Sequence, residues 1–305
     1  MRRTLPTLLA LTLLAACSAQ AEAPPEEVVG SAAQPIIAGE PSDASQDSVV
    51  LVIMMGGGGA GGCTGTLVAP NLVLTARHCV SVPSEGAFGC DANGNLVPGS
   101  EGGRLLGDLD PTQLYIFKGA TPPRFGSGGV KADARGKEIF HNGNNVVCSS
   151  DLALLLLDKK VEGVPLAPIR LDGGVEAGDN LIAVGYGLTE DGAAASKRLQ
   201  RTNVSVLRVG PQPSSSRQAA VSPNVFEVGE AICQGDSGGP AFDAKTGAVV
   251  GVVSAGGNGR TDPANAAAGC IGASTRNYYM STSSFKDLIL KAFDAAGADP
   301  WLEGL

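Results

Sequence analysis

The stretch Cys233-Gln234-Gly235-Asp236-Ser237-Gly238-Gly239-Pro240 decides how the rest of this chain is interpreted. It places one serine among three glycines. Because glycine has no Cβ, the backbone there can bend sharply and a substrate carbonyl can approach main-chain N–H groups closely. The segment therefore predicts a loop that presents Ser237 as a nucleophile and can hold an oxyanion.

A serine hydroxyl needs a base to act as a nucleophile, and the 305 residues contain only two histidines. His78 lies near the end of the apolar run Leu72-Val73-Leu74-Thr75-Ala76-Arg77-His78-Cys79. Asp151 begins a second apolar run, Asp151-Leu152-Ala153-Leu154-Leu155-Leu156-Leu157. Such runs are typical of buried strands. The two strands would hold His78 as the base and Asp151 as the carboxylate that orients it. The other histidine, His141 in Phe140-His141-Asn142-Gly143-Asn144, is predicted to lie in a surface turn.

The order His78, Asp151, Ser237 and its local sequences resemble the chymotrypsin and trypsin family of serine endopeptidases. The resemblance runs from about Ile36 to the C-terminus and includes Val252-Val253-Ser254-Ala255-Gly256. It implies an all-β fold of two six-stranded antiparallel β-barrels, with the site between them and the N–H groups of Gly235 and Ser237 as the oxyanion hole. Periodicity alone indicates only a mostly β protein.

The resemblance also implies a C-terminal helix packed on the second barrel. An amphipathic spacing supports the helix, at Phe285, Leu288, Ile289, Ala292 and Phe293. A membrane-surface helix would need a basic polar face, whereas this polar face carries both signs of charge.

By the same resemblance, Ala231 forms the floor of the primary specificity pocket, beside Ile232. We expect an apolar pocket that selects neutral apolar side chains, with the remaining substrate-binding residues at Ser254, Ala255, Gly256 and Gly272. The glycines are expected to leave its walls open.

Two positions depart from the family pattern. Arg77 stands where a small residue is usual, and its charge would need a partner or solvent and could lower the pKa of His78. Tyr186 replaces the usual tryptophan, an aromatic exchange expected to keep the packing.

Seven cysteines are present, an odd number. Cys17 is assigned to lipidation, which leaves six cysteines for an oxidising compartment, and sequence alone permits 15 connectivities among them. The resemblance implies pairs Cys63 with Cys79 and Cys233 with Cys270, after which Cys90 and Cys148 remain as the third pair.

The N-terminus has the features of an export signal, predicted as residues 1–16. Met1-Arg2-Arg3 is basic, the apolar segment after it is too short to span a bilayer, and Leu14-Ala15-Ala16-Cys17 resembles a bacterial lipobox. A simple secretory signal with an incidental cysteine is the alternative. Residues 17–35, rich in Ala, Glu and Pro, are predicted to be a tether or propeptide, and 36–305 the protease domain. The protein is thus expected to be exported, as an outer-membrane lipoprotein held through Cys17 or as a form released by cleavage near Ile36.

Ile36-Ile37-Ala38-Gly39 resembles the mature N-terminus of the family. The resemblance implies that a newly cut α-amino group at Ile36 pairs with Asp236 and organises the oxyanion loop. Because a bond after Pro35 resists most trypsin-like activators, a specialised activating protease is an expected partner, unless the uncut chain is active.

The other expected partners are protein or peptide substrates. A net charge of −8 argues against nucleic acid, and no cofactor is required. Zinc-type ligand spacing does not occur, and Asp91-Ala92-Asn93-Gly94-Asn95 favours a polar turn over a calcium loop. Two rival functions are a surface lipoprotein that keeps the fold without turnover and an α/β esterase, although the triad order excludes the esterase.

Overall fold

The computed structural model describes residues 36–56, 59–124, 130–214 and 220–304, so the predicted signal, Cys17 and the tether lie outside the described residues. Seventeen strands are present in this part of the chain. They are β1 Glu40–Pro41, β2 Val49–Gly56, β3 Gly59–Ala69, β4 Leu72–Thr75, β5 Ser81–Pro83, β6 Leu105–Asp108, β7 Leu114–Phe117, β8 Ala134–Phe140, β9 Ala153–Leu157, β10 Asn180–Gly185, β11 Leu199–Val209, β12 Gln212–Pro213, β13 Ala220–Val221, β14 Val225–Val228, β15 Pro240–Asp243, β16 Val249–Gly257 and β17 Arg276–Ser281.

The helical elements are one α-helix and six short 3₁₀ helices within the same ranges. The α-helix is α1, Lys286–Ala296. The 3₁₀ helices are Ala44–Gln46, Arg77–Cys79, Pro111–Gln113, Val147–Ser149, Ala268–Cys270 and Thr282–Phe285. None of these helices is long and apolar enough to cross a membrane.

Strands β2, β3, β4, β9, β8 and β7 close the first barrel, in that order. Every residue of β4 and of β9 is buried, because one face of each strand is directed into the barrel and the outer faces are covered by α1. This double burial explains why both strands are continuous apolar runs rather than alternating ones.

The second barrel is a sheet in the order β1, β11, β10, β15, β16, β17, β14, closed by pairing of β11 with β14. With β1 added at the edge, six antiparallel strands form the closed barrel. The predicted fold of two six-stranded antiparallel barrels is therefore confirmed.

The C-terminal helix is confirmed, but its predicted position is wrong. Ile289, Ala292 and Phe293 are buried, and α1 contacts β4 and β9 of the first barrel. The preceding 3₁₀ helix, Thr282–Phe285, contacts β16 and β17 of the second barrel. The helix packs on the first barrel because the apolar outer faces of β4 and β9 need a cover.

All three predicted disulfides are present, Cys63–Cys79, Cys90–Cys148 and Cys233–Cys270. They indicate an oxidising compartment. Cys90 belongs to an inserted segment, residues 84–104, that lies between β5 and β6. The insertion reaches the second barrel, since Ala220 N donates to Cys90 O at 2.9 Å and Ser222 Oγ donates to Asp91 O at 2.9 Å.

Candidate active site

The first barrel brings His78 and Asp151 together. His78 lies in the 3₁₀ turn after β4, and Asp151 lies just before β9, the strand paired with β4. His78 Nδ1 lies 2.7 Å from Asp151 Oδ2, and His78 N donates to Asp151 Oδ1 at 2.8 Å. Two bonds to one buried carboxylate fix both the ring and the backbone that carries it.

Ser254 Oγ donates a third hydrogen bond to Asp151, at 2.6 Å to Oδ2. We expected Ser254 to bind substrate, and this contact across the barrels gives it a further role that the sequence did not reveal. The only sequence signal was its place in a segment matched by resemblance. Asp151 is fully buried, and each bond helps to offset the cost of keeping a carboxylate out of water.

The pKa of the His78 imidazole is raised from its usual 6.5. Desolvation favours the neutral ring, but the charge of Asp151 and its hydrogen bond outweigh desolvation. The ring is therefore a stronger base than a free histidine, and 21% of its side chain is exposed.

Arg77 does not lower the pKa of His78 as the sequence suggested it could, because that pKa is raised and its causes are desolvation and Asp151. Its guanidinium, 3% exposed, forms a 2.9 Å ion pair with Asp108 and hydrogen bonds to Ser81 Oγ and Asn144 O. His141 Nε2 contacts the other oxygen of Asp108 at 2.8 Å. Asp108 thus neutralises the charge beside the active site, and His141 belongs to this cluster.

The loop of residues 233–240, which carries Ser237, contains two glycines with positive φ, Gly235 at +97° and Gly238 at +80°. A Cβ on Gly238 would lie 2.1 Å from Thr75 Oγ1, so the loop can approach the first barrel only because that atom is missing. Within the described residues, the N–H groups of Gly235 and Ser237 donate to no protein acceptor. Two unpaired donors on one loop are what an oxyanion hole requires.

Thr64 of β3 holds this loop to the first barrel. Its N–H donates to Ser237 O at 2.8 Å and its Oγ1 donates to Gly235 O at 2.8 Å. The strand that carries Thr64 pairs with the strand that leads to His78, so these bonds set the serine relative to the base. No sequence signal identified Thr64, whose partners are about 170 residues away.

Tyr186 also joins the barrels, with its phenolic oxygen 3.0 Å from Val49 O and 2.9 Å from Gly119 O. Its side chain is buried, and desolvation raises the pKa of the phenol to about 12. Tyr186 is therefore buried in the aromatic position, and its hydroxyl donates to the carbonyl groups of Val49 and Gly119.

Asp236 is fully buried beneath the loop. Its carboxyl accepts from Gly187 N at 2.7 Å and from Cys233 N at 2.9 Å, and within the described ranges it has no ion pair. Burial raises its pKa to about 7, although both hydrogen bonds oppose the shift. Ile36 is also fully buried, in one hydrophobic cluster with Ala231 and Ile232.

A cavity of about 110 Å³ lies beside Ser237 and corresponds to the expected primary pocket. Ile232, Ser254, Ala255 and Gly256 line it, whereas Ala231 is fully buried and, like Gly272, is not part of its lining. Asn277 of β17 also lines it, a residue the sequence reasoning missed.

The side chain of Asn277 lies close to Gly256, because a Cβ on Gly256 would lie 2.0 Å from Asn277 Oδ1. Asn277 Nδ2 donates to Gly229 O at 2.8 Å, which holds the amide in place. The wall at Gly256 is therefore occupied and not open, and the pocket is small.

One group of metal-binding side chains, Cys63, His78 and Cys79, meets within 4.8 Å in the described part of the chain. Both sulfur atoms belong to the Cys63–Cys79 disulfide, so they offer no thiolate to a metal. At the turn formed by residues 91–95, Asp91 Oδ1 accepts from the N–H groups of Asn93 and Asn95, as in an ordinary polar turn.

The chain is similar to curated proteins named as an elastase, a granzyme and a trypsin. It is 29% identical over 190 residues to chymotrypsin-like elastase family member 1 of Macaca fascicularis, which covers 58% of this chain and 61% of the relative. It is 30% identical over 203 residues to granzyme M of Rattus norvegicus, covering 63% and 68% of the two chains. Trypsin of Saccharopolyspora erythraea is 26% identical over 183 residues, covering 58% and 69%.

The chain spans about three fifths of the length of the elastase it matches, 61%. The trypsin family model matches residues 36–100 and 123–278, well over half of the chain and all three residues of the His78, Asp151 and Ser237 constellation. This match and the two closed barrels show that the chain belongs to the trypsin family.

Proposed function

We propose that this protein is a serine endopeptidase in which Ser237 is the nucleophile, His78 the general base and Asp151 the residue that orients the base. The observation that carries the proposal is the set of three hydrogen bonds to the Asp151 carboxylate, from His78 Nδ1, His78 N and Ser254 Oγ. A carboxylate held in this way fixes the tautomer in which Nε2 can accept a proton.

In the proposed reaction, His78 Nε2 takes the proton of Ser237 Oγ as that oxygen attacks the scissile carbonyl carbon. The N–H groups of Gly235 and Ser237 donate to the resulting oxyanion, and Asp151 stabilises the imidazolium. His78 then gives the proton to the leaving amine. Water, activated by the same base, hydrolyses the acyl-enzyme and restores Ser237.

The size of the primary pocket supports a preference for small neutral residues before the scissile bond. Its volume of about 110 Å³ leaves little room for an aromatic ring, and no charged residue lines it. We infer that Ile232 and Asn277 limit the depth of the pocket.

The activation and anchoring of the enzyme are further parts of the proposal. Asp236 is buried and has no ion pair among the described residues, and Ile36 is buried as well. Both observations support a switch in which cleavage before Ile36 supplies an α-amino group to the Asp236 carboxyl. The same cut would separate the protease domain from a lipid on Cys17, so a membrane-held precursor would become a released enzyme. N-terminal sequencing of the active form tests this, since activity in a form that begins at Cys17 contradicts the switch.

Labelling with a fluorophosphonate probe tests the activity. The probe should label the wild-type protein and fail to label Ser237→Ala, with circular dichroism showing that both are folded. Peptide hydrolysis should disappear in parallel. A folded wild-type protein that neither reacts nor cleaves, in its cut form as well as its uncut form, would instead support a binding lipoprotein that has lost turnover.

A further inference from the structure

Arg77 directly precedes His78 in the short 3₁₀ helix after β4, and only 3% of its side chain is exposed. Burial of a guanidinium is costly unless its charge and its N–H groups find partners. Nε donates to Ser81 Oγ at 3.0 Å, Nη1 to Asn144 O at 3.2 Å and Nη2 to Asp108 Oδ1 at 2.9 Å. The side chain is therefore held by three different segments of the chain.

One of these partners belongs to the segment that leads to Asp151. Residues 141–150 connect the end of β8 to Asp151 and are called the 141–150 connection below. Asn144 O lies in the middle of this connection. The hydrogen bond from Arg77 to Asn144 O therefore joins the turn that carries His78 to the connection that ends at Asp151. This path is separate from the direct bonds between His78 and Asp151.

Asp108 joins the same two segments through its other oxygen. His141 Nε2 lies 2.8 Å from Asp108 Oδ2, and Gly143 N donates to His141 Nδ1 at 2.9 Å. Because Nδ1 accepts a hydrogen bond, the ring is neutral and its proton is on Nε2, which donates to Asp108. The carboxylate therefore accepts from Arg77 on one oxygen and from His141, the first residue of the 141–150 connection, on the other.

Asn142 joins the middle of the connection to its end. Its Oδ1 accepts from Asn144 N at 3.1 Å, and its Nδ2 donates to Ser150 Oγ at 3.2 Å. Ser150 is 3% exposed and directly precedes Asp151. A displacement of Asn144 would therefore shift the residue next to the carboxylate that orients His78.

We propose that Arg77 is a positioning residue for the proposed endopeptidase reaction, which holds Asp151 at hydrogen-bonding distance from His78 through Asn144 O and through Asp108. This inference rests on the proposed function and adds a residue outside the triad. A misplacement of about 1 Å, caused by a change far from the reacting atoms, can lower a rate by about 100-fold. Loss of the Arg77 contacts is therefore expected to affect the rate.

A positioning role and a purely electrostatic role predict opposite changes at His78. Loss of a nearby cation raises the pKa of a histidine, whereas a weaker hydrogen bond to a carboxylate lowers it. Arg77→Met removes the charge and all three hydrogen bonds but keeps an unbranched side chain. The positioning role predicts that the pKa of His78 falls in this variant, and a role in stability alone predicts no change.

This pKa can be measured directly because the protein contains only two histidines. Proton NMR of the ring Cε1–H signals, recorded in the Ser237→Ala protein without a histidine tag, gives one titration midpoint for each ring. His141→Gln identifies which signal belongs to His78. The His78 midpoint should lie above 6.5 in the Ser237→Ala parent and should be lower when Arg77→Met is added. An unchanged or raised midpoint would overturn the proposal.

Kinetics of the active protein provide the second measurement. Arg77→Met should lower kcat by about tenfold to 100-fold and leave KM nearly unchanged. Asn142→Ala, at an exposed position of the connection, should lower kcat as well. The double variant should lose less than the product of the two single losses, because both side chains act on one path. If Arg77→Met fails to fold, Asn142→Ala undergoes the same titration with the same expected direction.

Arg170→Met is the matched control. Arg170 is 15% exposed and is likewise held by carboxylates, those of Asp243 at 2.8 Å and of Glu303. These partners lie in β15 and after α1, outside the segments that carry His78 and Asp151. The control should lose thermal stability but keep both kcat and the His78 midpoint. An equal loss of kcat in Arg170→Met and Arg77→Met would show that reduced stability lowers the rate, which contradicts a positioning role.

The two measurements separate this inference from the proposed function. If the wild-type protein cleaves peptides and Arg77→Met cleaves them equally fast, the positioning role fails and the protease assignment stands. A wild-type protein that hydrolyses no substrate would count against the proposed function. The NMR titration would still decide the role of Arg77 in that case, because it requires no turnover.

Discussion

The buried carboxyl of Asp236 gives a stability prediction whose size follows from the structure. In the uncleaved chain its pKa is about 7, against 3.8 in an unfolded chain. Each unit of difference corresponds to about 1.4 kcal/mol, so the shift amounts to roughly 4 kcal/mol. Because the folded-state pKa is the higher one, the folded state holds the proton longer. The free energy of unfolding should therefore fall as pH rises from about 4 to about 7.

Asp236→Asn should remove this dependence, because the amide does not ionise. We would measure urea unfolding of the uncleaved chain near pH 4 and near pH 8, with Ser237→Ala present in both proteins to prevent autolysis. The stability of Asp236→Asn relative to Asp236 should increase by about 4 kcal/mol between the two pH values. The asparagine NH2 group cannot accept the hydrogen bond that Cys233 N donates to Asp236. This loss lowers the stability of the variant equally at both pH values, so it cancels when the two values are compared.

The result that would refute this reasoning is a pH-independent difference between the two proteins. If the stability of Asp236→Asn relative to the parent instead fell as pH rose, Asp236 would already be ionised beside a cation in the uncut chain. After cleavage before Ile36, a paired α-amino group should stabilise the carboxylate, and the gain of Asp236→Asn at high pH should disappear.

Three further predictions concern catalysis. Ser237→Ala and His78→Ala should each reduce kcat/KM almost as much as the double substitution, because a triad acts as a unit; additive losses would contradict it. The acid limb of the kcat/KM profile should have its midpoint above pH 6.5, because His78 must be neutral to act as the base and its pKa is raised. Asp151→Asn should move that midpoint to lower pH and reduce kcat by about 10⁴-fold. Asn277→Gly should enlarge the primary pocket and shift the preferred residue from alanine toward larger apolar side chains in a peptide-library assay, whereas an unchanged preference would place the size limit elsewhere.

Much of the site could be predicted from sequence because its members are marked locally. The glycines around Ser237 are needed wherever a backbone turns this tightly, and the runs before His78 and after Asp151 are buried on both faces. Such requirements leave a local sequence pattern within about ten residues of each candidate catalytic residue. The disulfides were predicted correctly for a related reason, since the resemblance fixed two pairs and left one.

The contacts that escaped prediction join segments far apart in the chain. Thr64 holds a loop about 170 residues away, and Asn277 closes a pocket whose predicted floor, Ala231, does not line it. Nothing in the neighbouring sequence of Thr64 or Asn277 distinguishes it from an ordinary strand residue. The position of α1 was missed because an amphipathic stripe shows that a face is covered but not which barrel covers it.

The sequence by itself therefore predicted which serine, histidine and aspartate belong together and, through its resemblance to a family, the two-barrel fold that the structure confirms. Tertiary structure alone decided the raised pKa of Asp236, the pairing of Arg77 with Asp108 and the size of the primary pocket. The physical reason is that catalytic motifs are constraints on local backbone and side-chain type. Burial, charge compensation and cavity volume depend on which distant segments the fold packs together.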